Sequence, residues 1–450
     1  MKNKSVANKQ SYTLIWLLAF AIVISVMNST MFNVALPELK KEFGLTSTQV
    51  SWVVTAYIII YAVGSVTYGK LADMFKLKNL ITLGLCFFVC GSVIGLVSDT
   101  YWLIIVSRIL QSAGASVIPA CSMLIPIRYV SEANRGRALG ITSAGMALGT
   151  AIGPIIAGFI LGFSSWRFLF AISIVILLAI PFFRRLLGDE MHRQGGKADF
   201  PGGILLAASV ALLLLSITTL SLLTFALMIS VSILFWFRVK TTNSPFVSPA
   251  LFKNTRFTTG LIIGSLALTL NLCIPYLIPQ MLTILHHTSP LQIGLIMSPS
   301  ALIAAVFGLV GGGIADRKGS RYLFVLGGGM QLLSYLMLWL FLNVSPTPII
   351  FILIVVNTGL TFAQIALANT VSRTLPREQA GVGMGIYMMC SFIAGAIGTS
   401  LLGKMLDVMG SNHAVFKNMF VIFSIWITVS AVLFIIKNPD RHSLKVNSSQ

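Results

Sequence analysis

The sequence predicts an all-α protein that crosses a membrane fourteen times. The chain of 450 residues is 56% hydrophobic and 10% charged, whereas average soluble domains carry roughly 25% charged residues. Many segments of about 20 residues lack charges, which is enough to cross a hydrocarbon layer of about 30 Å as a helix. Basic residues cluster at alternate junctions between these segments. Together these observations exclude a soluble domain and indicate a polytopic helical membrane protein.

Fourteen apolar segments alternate with short polar junctions. The predicted spans are residues 14–35, 48–70, 79–98, 101–125, 137–161, 166–186, 200–219, 222–239, 257–284, 291–314, 321–343, 348–372, 379–405 and 415–437. An even number of spans places both termini on one side of the membrane. Lysine and arginine concentrate at the termini and the even-numbered junctions, so the positive-inside rule predicts that both termini are cytoplasmic.

The formal net charge of +19 raises the question of a nucleic-acid partner. The basic residues form small groups at alternate loops rather than one basic face, so we expect contact with a lipid bilayer and no nucleic-acid partner. All five cysteines fall inside apolar segments without metal-ligand spacing, and we expect them to be packing residues.

A short motif occurs twice at matching places. "GKLADMFKLK" (69–78) follows the second span and "GGIADRKGSR" (312–321) follows the tenth. With spans seven and eight set aside, the motif follows the second span in each of two groups of six. Such duplication is typical of secondary transporters. The predicted organisation is an N-terminal six-helix bundle (1–186), a linker with two extra spans (187–256) and a C-terminal six-helix bundle (257–450).

The repeated motif is a candidate gate. Asp73 can accept hydrogen bonds from a neighbouring helix N-terminus or a basic residue, and Gly69 permits another backbone to approach closely. A charged contact made in one transporter state and broken in the other would act as a gate. The alternative is a solvated cluster that only sets topology. The predicted gating residues are Gly69, Asp73, Lys78, Gly312, Asp316, Arg317 and Arg321.

The fourth span contains Arg108 about a third of the way along it. An arginine at membrane depth costs roughly 2.5–3.5 kcal/mol on insertion scales, so it must face a polar interior. Gln111 and Gly114 follow at three-residue spacing on the same helical face, which predicts a lined cavity. The alternative is an arginine that extends to the membrane interface.

The fifth span carries glycines at every fourth position, followed by a Gly-Pro pair. Such a stripe lets another helix pack backbone to backbone, and proline softens or kinks a helix. Close packing alone would explain the glycines, whereas the added proline favours a hinge. The predicted hinge residues are Gly145, Gly149, Gly153, Pro154 and Gly158.

Neutral polar side chains recur inside the other spans. They are predicted to line a substrate path, although they could equally form hydrogen bonds between helices. The ninth span also contains Pro275 and Pro279, which free backbone carbonyls that need a polar or buried setting. The candidate lining residues are Ser25, Asn28, Ser29 and Asn33 in the first span, Asn271 and Gln280 in the ninth, and Asn357, Thr361 and Gln364 in the twelfth.

Enzyme and metal chemistry find little support. His286 and His287 adjoin in a short loop without acidic neighbours, so we expect them to be solvated rather than metal ligands. The sequence contains no phosphate-binding glycine loop, zinc-spaced His/Cys set or nucleophile–base motif. We therefore expect no catalytic site, no metal and no cofactor.

Taken together, these residues resemble the major facilitator superfamily, and within it the fourteen-helix drug:proton antiporter branch. The resemblance is carried by the motifs at 69–78 and 312–321, by Arg108, by "GMALGTAIGP" (145–154) and by "SWRFLF" (165–170). Further stretches are similar to the tetracycline exporters of Gram-positive bacteria. The resemblance implies two six-helix bundles with two central linker helices, alternating access, and outward drug transport driven by inward proton flow across a bacterial cell membrane.

The chain departs from that family in its acidic residues. In these exporters a carboxylate near the middle of the first helix, and often another in the thirteenth, takes part in proton or cation binding. Here Asn28, or Ser29 in the tetracycline-exporter register, stands at the first site, and residues 391–399 contain no acid. Asn and Ser do not titrate. We therefore expect any proton coupling to use a rim acid such as Asp73 or Asp199, or an ionisable group of the substrate.

The expected function is export of amphipathic small molecules, tetracycline-like or multidrug, in exchange for protons by a monomer. The positive field of Arg108 should disfavour permanently cationic substrates. One alternative is a carrier of the same fold for an endogenous lipid, metabolite or secreted antibiotic, without necessary coupling. Another is a membrane sensor or scaffold, but no junction between the predicted spans is long enough to hold a sizeable signalling domain.

Overall fold

Helices account for nearly all of the chain that the computed structural model describes, which is residues 2–72, 74–130, 135–188, 199–242, 245–342, 347–375 and 380–437. These residues contain no strand. Fourteen of the helical segments are long and apolar enough to cross a membrane. An α-helix pairs its backbone polar groups within the segment, which hydrocarbon requires. The predicted fold class, all-α with fourteen transmembrane helices, is confirmed.

The first six spans are built from eight helices. The fourth span is α4 continued by α5, and the sixth is α7 and α8 joined by a 3₁₀ segment at Ile174–Leu178. The helices are α1 (Lys2–Glu42), α2 (Ser47–Leu71), α3 (Leu77–Leu96), α4 (Tyr101–Ala115), α5 (Val117–Tyr129), α6 (Arg135–Phe163), α7 (Arg167–Ser173) and α8 (Ala179–Leu186).

The other eight spans begin with two helices in the middle of the chain, α9 (Phe200–Thr219) and α10 (Leu222–Thr241). The ninth span is α12 continued by α13, and the tenth and eleventh are the two parts of α14. The remaining helices are α11 (Pro249–Phe252), α12 (Thr255–Leu268), α13 (Leu270–His286), α14 (Pro290–Phe341), α15 (Thr347–Ser372), α16 (Ala380–Met409) and α17 (His413–Lys437).

Successive spans run in opposite directions, so α1 begins and α17 ends on the same side. We term this the termini side and the opposite side the far side. On the far side, α2 begins with a capping box: the Thr46 hydroxyl accepts a hydrogen bond from the Gln49 N–H, and the Gln49 side chain accepts one from the Thr46 N–H. On the termini side, Gly319 separates the two spans of α14 with a φ of 86°, which glycine adopts without steric cost.

Small residues bring neighbouring helices into close contact. A Cβ atom added to Gly149 of α6 would lie 2.8 Å from the Val23 carbonyl oxygen of α1, and one added to Gly153 would collide with the Thr30 hydroxyl. The packing of another helix on this stripe therefore occurs as expected, whereas the hinge role of the stripe and of Pro154 stays a prediction.

The two halves of the chain contact each other through α2 with α16 and through α6 with α14. The closest backbone approaches lie near the far side. A Cβ on Gly158 would lie 2.7 Å from the Pro290 carbonyl oxygen, and one on Gly403 would lie 2.9 Å from that of Ser47. Toward the termini side of the α6–α14 pair, no described atom lies within 4 Å of a Cβ built on Gly140 or Gly312. Among the described glycines of this pair, the close backbone approaches therefore lie toward the far side.

The two central helices lie outside this contact. Helix α9 packs on α10 and also reaches α2 and α16. In α10 only Val239 is buried, and its exposed side chains are mostly large and apolar. A helix of this kind is stable when hydrocarbon surrounds it, so α10 faces lipid.

Replacement of Gly158 by alanine tests the far-side backbone contact. The added Cβ would force α6 and α14 apart, and we expect a loss of about 1–3 kcal/mol of stability from overpacking. Gly162→Ala on the same helix is the matched control, because its Cβ would make an ordinary 3.6 Å contact with Leu291. Thermal unfolding of the purified protein in detergent measures both, and equal effects would contradict the assigned contact.

Candidate functional site

Arg108 lies at the centre of a polar cluster inside the first six spans. Its side chain is fully buried. Nη1 donates to the Asn28 Oδ1 at 2.8 Å and to the Gln111 Oε1 at 2.9 Å, and Nε donates to the Val53 carbonyl oxygen at 3.2 Å. The guanidinium therefore joins α1, α2 and α4. Asn28 rather than Ser29 is its partner on α1.

A second layer of hydroxyl groups holds the two amides. The Asn28 Nδ2 donates to the Ser173 hydroxyl at 2.7 Å, and that hydroxyl donates to the Leu169 carbonyl oxygen. The Gln111 Nε2 donates to the Ser92 hydroxyl at 2.8 Å, which in turn donates to a carbonyl oxygen of α3. These bonds fix both amide orientations, so that each amide presents its oxygen to Arg108.

Two aromatic rings enclose the guanidinium. The Arg108 Cζ lies 4.1 Å from the centre of the Phe32 ring and 4.2 Å from that of the Tyr57 ring. The π-faces of aromatic rings attract a cation, and the attraction is greater away from water. Phe32 and Tyr57 therefore offset part of the desolvation cost of the buried charge.

The cluster contains no carboxylate among the described residues. The Arg108 Nη2, the Ser25 hydroxyl and the Tyr57 hydroxyl are buried and make no hydrogen bond within the described chain. The charge of Arg108 is thus balanced by amide and carbonyl dipoles and by the two rings. A single buried cation without a counterion leaves a net positive field in this half of the protein.

The residues predicted to line a cavity around Arg108 are buried in this conformation, and their lining role stays a prediction. Arg108, Asn28 and Gln111 have no exposed surface, and Ser25 is almost fully buried. They form the polar core of the first six spans because each polar atom there needs a partner in the chain. Asn33 is also buried, whereas Ser29 is half-buried.

The polar residues of the second half take different positions. Asn357 of α15 donates at 3.0 Å to the Ser300 hydroxyl of α14, which is the interhelical alternative. Gln280 is buried with its Oε1 unpartnered among the described residues, and Asn271 is half-buried. Thr361 donates back to the Asn357 carbonyl oxygen, and Gln364 is exposed. These residues do not meet at one point, and a lining role is open only to those that keep exposed surface.

On the far side, polar groups join the two halves directly. Asp407 at the end of α16 accepts hydrogen bonds from the Ser47 N–H at 2.6 Å and from the Thr48 N–H at 2.7 Å, both in the first turn of α2. The Tyr276 hydroxyl of α13 donates to the Ser47 carbonyl oxygen at 3.0 Å. Deeper in the membrane, the Thr55 hydroxyl lies 3.3 Å from that of Thr399. We term these bonds the far-side contact.

The predicted gate on the termini side is described only in part. Asp73 lies outside the described residues, and so does the Asp316 side chain. No described atom lies within 4 Å of a Cβ built on Gly69 or Gly312, so the predicted close backbone approach is not seen in the described part. Arg317 is exposed, and Lys78 and Arg321 are half-buried with interacting partners.

Asp199 caps the N-terminus of α9. Its buried carboxylate accepts hydrogen bonds from the Arg238 Nε at 3.0 Å, from the Gly202 N–H at 3.1 Å and from the Phe246 N–H at 3.0 Å. Burial raises the pKa of Asp199, but the bonds from Arg238 and the two backbone N–H groups outweigh it, and the pKa lies below its ordinary value. Asp199 is therefore ionised at neutral pH, which is unfavourable for a proton carrier.

Several contributors to these sites were not identified from the sequence. Phe32 and Tyr57 read as ordinary apolar residues of their spans, and their stacking on Arg108 depends on helix rotation. Asp407 belongs to none of the sequence motifs. Lys70, inside the first motif, donates to the Pro245 and Phe246 carbonyl oxygens of the linker. The only sequence feature that points to this contact of Lys70 is its position within the predicted gating motif.

The helical architecture and the duplicated motif agree with a family profile. The profile described as Major Facilitator Superfamily matches residues 18–399. The chain belongs to the major facilitator superfamily. Members of this family are membrane transporters and not enzymes, so this chain is a transporter of the same class.

Individual relatives cover most of the chain. The riboflavin transporter RibZ of Clostridioides difficile (strain 630) is 27% identical over 406 residues, 88% of each chain. The putative multidrug resistance protein MdtD of Salmonella newport (strain SL254) is 25% identical over 417 residues, which is 89% of this chain and 87% of that protein.

Solved structures with low sequence identity share the fold. A POT family transporter in complex with 5-aminolevulinic acid has a TM-score of 0.71 at 16% identity, over 95% of this chain and 96% of that chain. A bacterial homologue of the human lysosomal transporter Spinster has a TM-score of 0.65 at 13% identity, over 95% and 97%.

Replacement of Asn28 tests the buried cluster. Asn28→Leu removes an acceptor from Arg108 and a donor from Ser173, and we expect a loss of about 1–3 kcal/mol, the penalty for leaving a buried polar group unpaired. Asn28→Asp keeps the acceptor and supplies a counterion, so its stability should equal or exceed that of the wild type.

Ser29→Leu is the control for this pair, since Ser29 is the half-buried neighbour on α1. Thermal unfolding in detergent is the measurement. An Asn28→Leu protein as stable as Ser29→Leu would show that Asn28 does not satisfy Arg108.

Asp199→Asn tests the cap of α9. Because the pKa of Asp199 is lowered in the folded protein, its contribution is present above the unfolded pKa of about 3.9 and is lost as pH falls through the folded value. We expect the variant to be less stable than the wild type at pH 7, with a difference that shrinks below about pH 4. Thermal unfolding across pH measures this difference in stability. A difference that grows on acidification would contradict the expected direction of the pH dependence.

Proposed function

We propose that this transporter exports amphipathic small molecules, tetracycline-like or multidrug, by alternating access and in exchange for protons. The far-side contact between its halves carries the proposal. The halves are bonded there by Asp407 and Tyr276, whereas toward the termini side no described atom lies within 4 Å of a Cβ built on Gly140 of α6 or Gly312 of α14. A substrate that enters from the termini side leaves when the far-side contact breaks.

The proposal includes an orientation and a division of the chain. With the basic junctions in the cytoplasm, the termini side is cytoplasmic and the far side faces out of a bacterial cell membrane. Residues 1–186 and 257–450 then move as two bundles, and 187–256 is a linker. The exporter acts as a monomer, because the transport pathway lies between two halves of one chain.

The charge of the first bundle bears on the substrate class. Arg108 has no carboxylate partner among the described residues, so a cation in the pathway would meet an uncompensated positive field. Neutral, zwitterionic or anionic amphipathic molecules should therefore be better substrates than permanent cations. Since Arg108 is buried, this effect acts through the field rather than through contact with the substrate in the present conformation.

The exchanged protons have two candidate carriers, a rim acid of the chain and an ionisable group of the substrate. Asp199 is held ionised by Arg238 and two backbone N–H groups, which disfavours it as the carrier. Asp73, in the duplicated motif, is the remaining rim acid that the sequence singles out, and an ionisable group of the substrate is the other source.

A second candidate is a carrier for an endogenous metabolite on the same fold, not necessarily coupled to protons. The observation in its favour is the riboflavin transporter among the relatives, at 27% identity over 88% of the chain. The two candidates differ in phenotype, since loss of an exporter changes drug tolerance and loss of a metabolite carrier changes growth or vitamin content.

The test is a drug-susceptibility panel in a pump-deficient host, with tetracyclines, anionic and neutral drugs, and permanent cations. Riboflavin uptake by the same cells is measured in parallel. We expect the wild type to raise tolerance to neutral and anionic drugs, and Arg108→Ala to abolish this. Arg185→Ala is the matched control, because it removes an exposed arginine at the end of α8. Equal expression in the membrane is verified for each variant.

Proton exchange is measured as substrate-induced proton release from proteoliposomes. We expect Asp73→Asn to lose the release and Asp199→Asn to retain it. Wild-type transport that is insensitive to a pH gradient would exclude coupling, and riboflavin movement without any change in drug tolerance would favour the metabolite carrier.

A further inference from the structure

The far-side contact ends in a carboxylate that belongs to one half and binds the other. Asp407 lies on α16, near the end of the chain, and its two partners are the first two N–H groups of α2, 360 and 359 residues away. N–H groups in the first turn of a helix have no partner within the helix and carry the positive end of its dipole. Asp407 therefore supplies the hydrogen-bond acceptors that these N–H groups of α2 lack within the helix.

The N-terminus of α2 is completed only with this residue. The Gln49 N–H is capped by the Thr46 hydroxyl, and the Val50 N–H donates to the Thr46 carbonyl oxygen. The Ser47 and Thr48 N–H groups are left for Asp407. Without the Asp407 carboxylate, the N–H groups of Ser47 and Thr48 would lose the acceptor that they bind in the chain.

Asp407 differs from the other acids whose bonds the structure describes. Glu42 and Asp99 are both bound by Arg167, within the first six spans. Asp199 is bound by Arg238, within the two central spans. Asp407 alone in this set joins one half to the other, and its described partners are neutral N–H groups rather than a basic side chain.

We infer that Asp407 is a positioning residue for transport, whose carboxylate holds the far side closed by binding the N-terminus of α2. The inference rests on the alternating access of the proposed function. Opening of the far side must break both bonds, so the free energy of this contact sets how often that state is reached. Gly403 lies one turn earlier on α16, where only a residue without a Cβ lets α16 approach Ser47 so closely.

Several charged and polar groups lie around the contact. The Lys40 Nζ donates to the Ser47 hydroxyl at 2.6 Å, and the Tyr276 hydroxyl donates to the Ser47 carbonyl oxygen. Lys404 precedes Asp407 by three residues on α16, and His413 begins the next helix. Of these groups, Asp407 alone accepts hydrogen bonds from the N–H groups of α2, so removal of its charge by substitution tests the contact.

The test measures the distance between the two halves at the far side. Spin labels are attached to Thr100→Cys, between α3 and α4, and to Ala414→Cys, in the first turn of α17, both exposed far-side positions. The native cysteines are replaced by serine, and double electron–electron resonance in proteoliposomes gives the distance distribution without any substrate.

Asp407→Asn offers one oxygen to two N–H donors and carries no charge, so we expect the population with the longer distance to increase roughly tenfold, equivalent to about 1.4 kcal/mol. Asp407→Glu, which keeps the carboxylate, should remain closer to the wild type than Asp407→Asn.

Asp99→Asn is the matched control, because it removes an exposed far-side acid within one half, and its distances should equal those of the wild type. The inference is overturned if Asp407→Asn keeps the wild-type distances, or if Asp407→Glu opens as fully as Asp407→Asn. Thermal unfolding confirms that each variant is folded. The distances do not depend on substrate, so failure of the proposed export would appear separately, as absent flux through the wild type.

Discussion

Inside hydrocarbon, a polar group has to find its partner within the chain, and this constraint organises the whole molecule. The backbone meets it by forming helices. Arg108 meets it with two amides, a carbonyl oxygen and two aromatic faces. The N–H groups in the first turns of α2 and α9, which have no partner within their own helix, donate to Asp407 and Asp199. In each case the satisfied group also ties together elements that are distant in sequence.

The amide of Asn28 sets the character of the first bundle. A carboxylate beside Arg108 would form an ion pair that can gain or lose a proton, whereas the amide gives a hydrogen bond with no change of charge. The positive charge remains, and it bears on which molecules the pathway accepts.

Close packing and bonding are distributed unequally along the membrane normal. Glycines let α6 approach α1 at Gly149 and Gly153, and its close approaches to α14 run from Gly158 beside Pro290 to Pro154 beside Gly294. The far side holds the bonds of Asp407 and Tyr276. Backbone contact and charge–dipole contact thus reinforce one another at one end, and the opposite end of α6 and α14 has no such approach among the described residues.

The sequence by itself determined the fourteen spans, the duplicated motif and the need for a polar partner at Arg108, because these depend on composition, periodicity and spacing along one chain. Tertiary structure decided that Ser25 and Asn28 of α1 are buried, that Asn28 and not Ser29 meets Arg108, and that Asp407 reaches α2. Helix rotation and the pairing of segments hundreds of residues apart set these contacts. No local pattern encodes them, since a helix with several polar faces can turn any of them toward its neighbours.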